Sequence, residues 1–253
     1  MARPKKDKNL RHTRHIMLRL TNTEYEIITE NAKAASLPLA EYVRKQITNK
    51  KVIVRVDYNV PIINGRILDN NRIVASLETI NYLLSKNAKI ILMSHLGKIK
   101  TKSDLEANSL KPVRDELSIL LHKDIKFSST LKGKELDDLV NNLNPGDILL
   151  LENTRYMDYP DKLESNCDIE LSKYWASLGD VYILDAFASS HRRHASTVGI
   201  PSYLPHAVGF LVERELQELD EIKKENKTLL LGGAKVDDKL SLIEYLLPTS
   251  DKI

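Results

Sequence analysis

Apolar residues fall along this chain in two alternating rhythms. From residue 51 onward, short and nearly continuous apolar runs recur: VIVRV (52–56), KIILMSH (89–95), DILLLEN (147–153), VYILDAF (181–187) and TLLLGG (228–233). Runs of this length and composition predict strands covered on both faces. Between them, apolar positions repeat at three- and four-residue intervals. Ile73, Leu77, Ile80 and Leu84 form one stripe, Val113, Leu117 and Leu120 a second, and Leu171, Trp175 and Leu178 a third. These predict amphipathic helices, the first with Asp69 to Asn71 as capping candidates. Strands alternating with helices predict an α/β fold, a Rossmann-like parallel sheet with helices on both faces. Residues 213–225, ERELQELDEIKKE, are apolar only at Leu216, Leu219 and Ile222, as a charged helix connecting two domains would be.

The first fifty residues follow a different pattern. A polar, basic arm, MARPKKDKNLRHTRH, leads into a stretch where Ile16, Leu18 and Leu20 alternate with Met17 and Arg19, which predicts a half-buried strand. Thr21 and Glu24 have capping-box spacing, Tyr25, Ile28, Ala32 and Ala35 continue as a helical stripe, and Leu39, Val43 and Ile47 mark a second helix after Pro38. Charge separates the same two regions. Residues 1–50 hold 11 Lys+Arg and 5 Asp+Glu, a net of +6, whereas the rest of the chain holds 27 and 30, a net of −3. A polyanionic partner inferred from basicity therefore concerns the first segment alone.

Composition narrows the class further. A chain of 253 residues with 42% hydrophobic content has enough apolar mass for a substantial core. No apolar run approaches the ~20 residues that cross a bilayer, and the basic start leads into no apolar signal region, so a soluble cytoplasmic protein with no membrane partner is expected. The single cysteine, Cys167, excludes an internal disulfide framework and a thiolate zinc cluster.

In open parallel sheets ligands bind beyond the carboxyl ends of the strands, and every predicted strand here ends in polar or glycine residues. Asp57 and Asn59 follow the first, His95 and Gly97 the second, and Asn153 and Arg155 the third. The fourth runs through Asp185 to His191, Arg192, Arg193 and His194, and the fifth ends in Gly232 and Gly233 with Lys235 and Lys239 one helical turn apart. Each end alone could be turn chemistry. Arginines gathered at one rim repel one another unless an anion or acidic residues lie between them. Arg192 and a histidine, with Arg155 and Arg72, are therefore expected to line an anion pocket, guanidinium forks being matched to phosphate and carboxylate oxygens. Salt bridges on a solvated face are the competing explanation. The chain has no G-x-x-x-x-G-K-[ST] motif and no Ser-His-acid arrangement.

The segments VIVRVDYNVP, DNNRI, ILMSHLGK, LKPV, PGDILLLENTRY, DVYILDAFASSHRRHASTVG, YLPHAVGFLVERELQEL and LLLGGAKVDDK resemble, in this order, phosphoglycerate kinases. The resemblance implies a triose-binding N-terminal domain over 51–212, an interdomain helix over 213–226, and the start of a nucleotide-binding C-terminal domain over 227–253. It implies a glycolytic phosphotransferase with a carboxyl acceptor, moving a phosphoryl group between ATP and 3-phosphoglycerate to give ADP and 1,3-bisphosphoglycerate, with Mg2+ on the nucleotide. On that resemblance Asp57, Asn59, Arg72, His95, Gly97, Lys98, Arg155 and Arg192 bind the triose, Arg72 and Lys235 stabilise the transferring group, and Lys235 and Lys239 hold nucleotide phosphates. Lys98 stands where the family usually has arginine. The expected chain is truncated after the first strand and helix of the nucleotide domain, so a triose-binding fragment without catalysis is the alternative. Residues 1–50 in turn resemble ribbon-helix-helix DNA-binding and plasmid-mobilisation proteins, which implies DNA as a partner read by Met17 and Arg19.

Overall fold

The computed structural model describes residues 18–19 and 47–221, with side chains over 47–219. Its centre is a seven-stranded sheet of β1 (Leu18–Arg19), β2 (Lys51–Val56), β5 (Lys89–Met93), β6 (Lys126–Ser128), β7 (Ile148–Leu151), β8 (Val181–Asp185) and β9 (His206–Val208). The spatial order is β1-β9-β8-β2-β5-β7-β6, and every pairing is parallel except that of β1 with β9. β2 lies in the middle, where Val54 is opposite Leu92 on one side and Ile183 on the other.

Alternation along the strands sorts the core into two layers. Val52, Val54, Val56, Ile90, Leu92, Ile148 and Leu150 face one side and pack with Ile73, Ile80 and Leu83 of α1 (Asn71–Leu84) and with Val113 and Leu117 of α3 (Lys111–Leu121). Ile53, Ile91, Met93, Leu149 and Leu151 face the other side and pack with Leu136 and Val140 of α4 (Lys134–Asn141) and with Leu171 and Trp175 of α5 (Ile169–Ser177). Burial on both faces is why the strands read as unbroken apolar runs. Trp175 is fully buried, and its indole N–H donates to the Leu131 carbonyl at 2.8 Å, so the one polar atom of the largest core side chain is satisfied.

Local chemistry sets the element ends. Asp69 accepts the Asn71 backbone N–H at 2.8 Å at the start of α1, while the Asn70 amide reaches across to Glu116 at 2.6 Å. Asp168 caps α5 by accepting the Leu171 N–H at 2.8 Å. Asn64 and Gly65, at φ 50° and 72°, turn the small hairpin of β3 (Ile62–Ile63) and β4 (Arg66–Ile67). A short α2 (Ser103–Ala107) precedes α3, and α6 (Phe210–Glu221) follows β9.

The chain divides into two compact units, Met1–Val212 and Glu213–Ile253. Most of residues 1–46 lie outside the described residues, and with them the predicted helices of the ribbon-helix-helix reading and its DNA-facing side chains. The two described residues of the predicted strand, Leu18 and Arg19, pair with Ala207 and His206 of β9. Their backbone groups are thus engaged at the edge of the chain's own sheet. The predicted strand at 228–233, Lys235 and Lys239 also lie outside the described residues. No helix among the described residues is long and apolar enough to cross a membrane.

Candidate active site

The chain leaves β2 for β5 on one side and leaves β8 for β9 on the other, so the carboxyl ends of these two paired strands open a crevice at the switch of strand order. Asp57 and Asn59 follow β2, His95 and Gly97 follow β5, Arg155 follows β7, and Arg192 and His194 follow β8. Four separate loops therefore bring the predicted residues to one rim.

Most of these residues are tied to one another. Arg72, on the first turn of α1, meets Asp57 at 2.5 Å. The Asn59 side-chain oxygen accepts the Gly97 N–H at 2.9 Å. Gly97 sits at φ +60°, and a Cβ there would lie 2.3 Å from the Asn108 side-chain oxygen, so the residue is required both for its backbone and for its lack of bulk. Arg155 donates to Asp158 at 2.8 Å and to Ser165 at 2.6 Å, while its Nε is buried without a partner. Arg155 also lines an open cleft of about 530 Å3 with Lys98, Ile99, Lys100, Asp158 and Lys162 among the walls. Of the predicted triose-binding residues, this cleft takes Lys98 and Arg155.

Arg192 differs from the other two predicted arginines. It is half-buried, and its side chain makes no hydrogen bond or ion pair with the described residues. Its position is held through the backbone: its carbonyl accepts from the His194 N–H at 3.0 Å and from the Thr197 hydroxyl at 2.5 Å. Its charge is felt nearby. Burial first, then Arg55, Arg155, Arg192 and His194, push the His95 imidazole down to about 2, and burial, Arg155 and Arg192 outweigh Asp158 in lowering His194 to about 4. Both rings are neutral at physiological pH. His191 and Arg193, the other two members of HRRH, are exposed.

Beneath this rim lies a buried group absent from the predicted set. Arg55, in the middle of the sheet and fully buried, donates from Nε to Ser196 at 2.9 Å, from one terminal nitrogen to the Val56 carbonyl, and from the other to His95 Nδ1 at 3.1 Å. The Ser196 hydroxyl in turn donates a hydrogen bond to Glu164 at 2.5 Å, and Glu164 also accepts the Ser196 backbone N–H at 2.9 Å. Burial raises the fully enclosed Glu164 carboxyl above its ordinary range, against the pull of Arg55 and Ser196. Arg55 could have been noticed as the one charged residue inside the run VIVRV. Glu164, Asp158 and Ser165 lie in a loop whose pattern carries no such signal.

The balance of charge decides between a solvated salt-bridge face and an anion site. Asp57, Asp158 and Glu164 stand beside Arg55, Arg72 and Arg155, but Arg192 has no carboxylate partner among the described residues, and Lys98, Lys100 and Lys162 add further positive charge at the cleft. Such an arrangement can bind a small polyanion with phosphate-like or carboxylate oxygens. No group of three or more His, Cys, Asp or Glu among the described residues is placed to hold a metal ion.

Comparisons with known proteins bear on the family and the fold. Residues 43–253 match the family model described as phosphoglycerate kinase. The chain is 52% identical over 210 residues to the phosphoglycerate kinase of Listeria innocua, an alignment covering 82% of this chain and 53% of that protein. It is 47% identical over 211 residues to that of Macrococcus caseolyticus, with the same coverage on both sides. Among solved structures, phosphoglycerate kinase from Coxiella burnetii superposes with a TM-score of 0.70 at 35% identity, covering 81% of this chain and 51% of that one. The enzyme from Pyrococcus horikoshii OT3 gives 0.68 at 30% identity, with 80% and 51% covered. The chain spans about half the length of the curated relatives it matches.

Proposed function

The chain belongs to the phosphoglycerate kinase family, and from that premise we propose that residues 51–212 form the acid-binding half of a phosphotransferase, gripping 3-phosphoglycerate or 1,3-bisphosphoglycerate. ATP or ADP enters with Mg2+ as the second substrate, with Lys235 and Lys239 as its phosphate contacts and Lys235 also stabilising the transferring group. In the forward step the triose carboxylate oxygen forms a bond to the γ-phosphorus, and the bond to ADP breaks with its electron pair leaving on ADP. The acceptor is already ionised at neutral pH, so neither a protein nucleophile nor a general base is needed. What remains for the protein is positioning and charge neutralisation. Arg192, Arg155 and Lys98 supply cationic donors to the triose, Arg72 reaches the transferring group while held by Asp57, and Asn59 with Gly97 shapes the loop beside them. His95 faces the same anion as a neutral ring.

The observation that carries this reading is Arg192, a half-buried guanidinium without an acidic partner among the described residues, whose charge adds to burial and to Arg155 in disfavouring protonation of His95 and His194. A second reading is an acid-binding unit that holds the triose without turnover. We propose the charged segment from residue 213 as the link toward the nucleotide half. A coupled assay with ATP and 3-phosphoglycerate, run beside a calorimetric titration of the triose, tests both statements. Saturable binding supports the acid site whether or not turnover accompanies it, and absence of binding at millimolar triose refutes it.

A further inference from the structure

Arg55 projects from the central strand into the base of the site and touches His95 Nδ1 at 3.1 Å. A guanidinium has only N–H donors and no lone pair to offer. The contact therefore forms only when Nδ1 accepts, which leaves the single proton of the neutral ring on Nε2. That nitrogen has no hydrogen-bond partner among the described residues, and it is not fully buried, the residue as a whole being 5% exposed. It thus opens to solvent at the rim. Arg55 is itself immobilised, with Nε on Ser196, a terminal nitrogen on the Val56 carbonyl, and Ser196 anchored on the buried Glu164. The fork cannot turn away from His95 without leaving buried polar groups unmatched.

We infer that Arg55 is a positioning residue that locks His95 as the Nε2–H tautomer, so that the imidazole presents the site with a neutral hydrogen-bond donor. The inference rests on the acid-binding reading only for what accepts that proton, a carboxylate or phosphate oxygen of the triose. A charged imidazolium would bind such an anion with an affinity that changes across neutral pH. A locked neutral donor adds no pH dependence of its own. The groups around the ring all favour neutrality: Arg55 from β2, Arg155 from the turn after β7, and Arg192 and His194 from the loop after β8.

Long-range 1H–15N NMR on the full chain labelled in histidine reads the ring state directly, without ligand. The expected result is a His95 ring with deprotonated Nδ1 and protonated Nε2 throughout pH 5 to 8. A ring protonated on Nδ1, or doubly protonated within that range, overturns the inference. Because no ligand is involved, this outcome is separate from a failure of triose binding, which the calorimetric titration reads by itself. Arg55→Met tests the cause: in a folded variant His95 is expected to become a mixture of tautomers or to titrate above pH 5, and an unchanged Nε2–H ring would remove Arg55 from the explanation. Should that variant not fold, Arg55→Lys serves the same test, since a point charge on a single nitrogen cannot serve Ser196, Val56 and His95 together. Its His95 is expected to lose the pure Nε2–H state, and retention of that state again overturns the inference. With 3-phosphoglycerate as ligand, affinity corrected for ionisation of its own phosphate, whose second pKa is ~6, is expected to stay within about twofold from pH 5.5 to 8 in the wild type and to vary several-fold in whichever variant folds. A several-fold wild-type variation that tracks His95 protonation contradicts the proposal.

Discussion

His95 and His194 are both buried and both neutral in the folded protein, which makes stability sensitive to acid in a calculable way. An unfolded histidine titrates near 6.5, whereas the folded rings titrate near 2 and near 4. Between those limits the unfolded chain binds protons that the folded one refuses, so stability is complete well above pH 6.5 and falls as pH drops below it. From the reference value, lowering the pH from 8 to 5 costs ~2 kcal/mol for each ring and ~4 kcal/mol for the two together. Glu164 works in the opposite sense: with its folded pKa raised, it loses stability as pH rises through the window above the ordinary carboxylate range. Comparing the wild type with a His95→Gln/His194→Gln variant cancels Glu164 and the surface carboxylates. Urea denaturation at pH 8, 6.5, 5.8 and 5 measures the difference between the two pH profiles. A wild-type excess loss of several kcal/mol is expected by pH 5, and an excess below about 1 kcal/mol would refute the claim that both rings are held neutral by burial and arginine charge.

Gly97→Ala places a Cβ 2.3 Å from the Asn108 side-chain oxygen at φ +60°, and Asn108 is itself bonded to the Asp104 carbonyl at 2.8 Å. The left-handed backbone and a displaced Asn108 together are expected to cost ~2 kcal/mol in chemical denaturation. Lys98→Arg replaces a point charge at the cleft wall with a fork, and triose affinity measured by calorimetry is expected to tighten about threefold or more. Trp175→Ala removes the largest fully buried side chain and strands the Leu131 carbonyl, with an expected loss of ~3–5 kcal/mol and no change in the pH profile assigned to the histidines.

The main sheet was legible because burial on both faces makes its strands nearly pure apolar runs. The predicted runs at 52–56, 89–95, 147–153 and 181–187 contain the observed strands Lys51–Val56, Lys89–Met93, Ile148–Leu151 and Val181–Asp185 with small shifts at the ends. The polar residues that close the runs, such as Ser94, His95, Glu152 and Asn153, belong to the site loops and not to the ladder. β6 and β9 escaped prediction because each is three residues long and reads KFS or HAV, too short for a period to emerge. The hairpin at 62–67 did carry a signal, the Asn64-Gly65 pair between isoleucines, and α4 a weaker one in Leu136 and Val140.

At the site, position at a strand end was readable but pairing was not. Asp57 and Arg72 are fifteen residues apart in sequence and meet at 2.5 Å. Nothing in their spacing says that one charge answers the other, whereas Arg155 and Asp158 stand three residues apart on one helical turn, a spacing that does allow pairing. The buried group of Arg55, Ser196 and Glu164 spans 141 residues between its first two members, so only the folded chain assembles it. Its function is structural first: an arginine inside a sheet is tolerable because a serine and a carboxylate meet it there.

The central claim is that Arg192, without an acidic partner among the described residues, meets a triose anion. Calorimetric titration of the full chain with 3-phosphoglycerate, for the wild type and for Arg192→Ala, tests it most directly. A charge-assisted contact of ~1.5–3 kcal/mol predicts single-site binding that weakens about ten- to a hundredfold in the variant. Equal affinities for the two proteins would contradict the account.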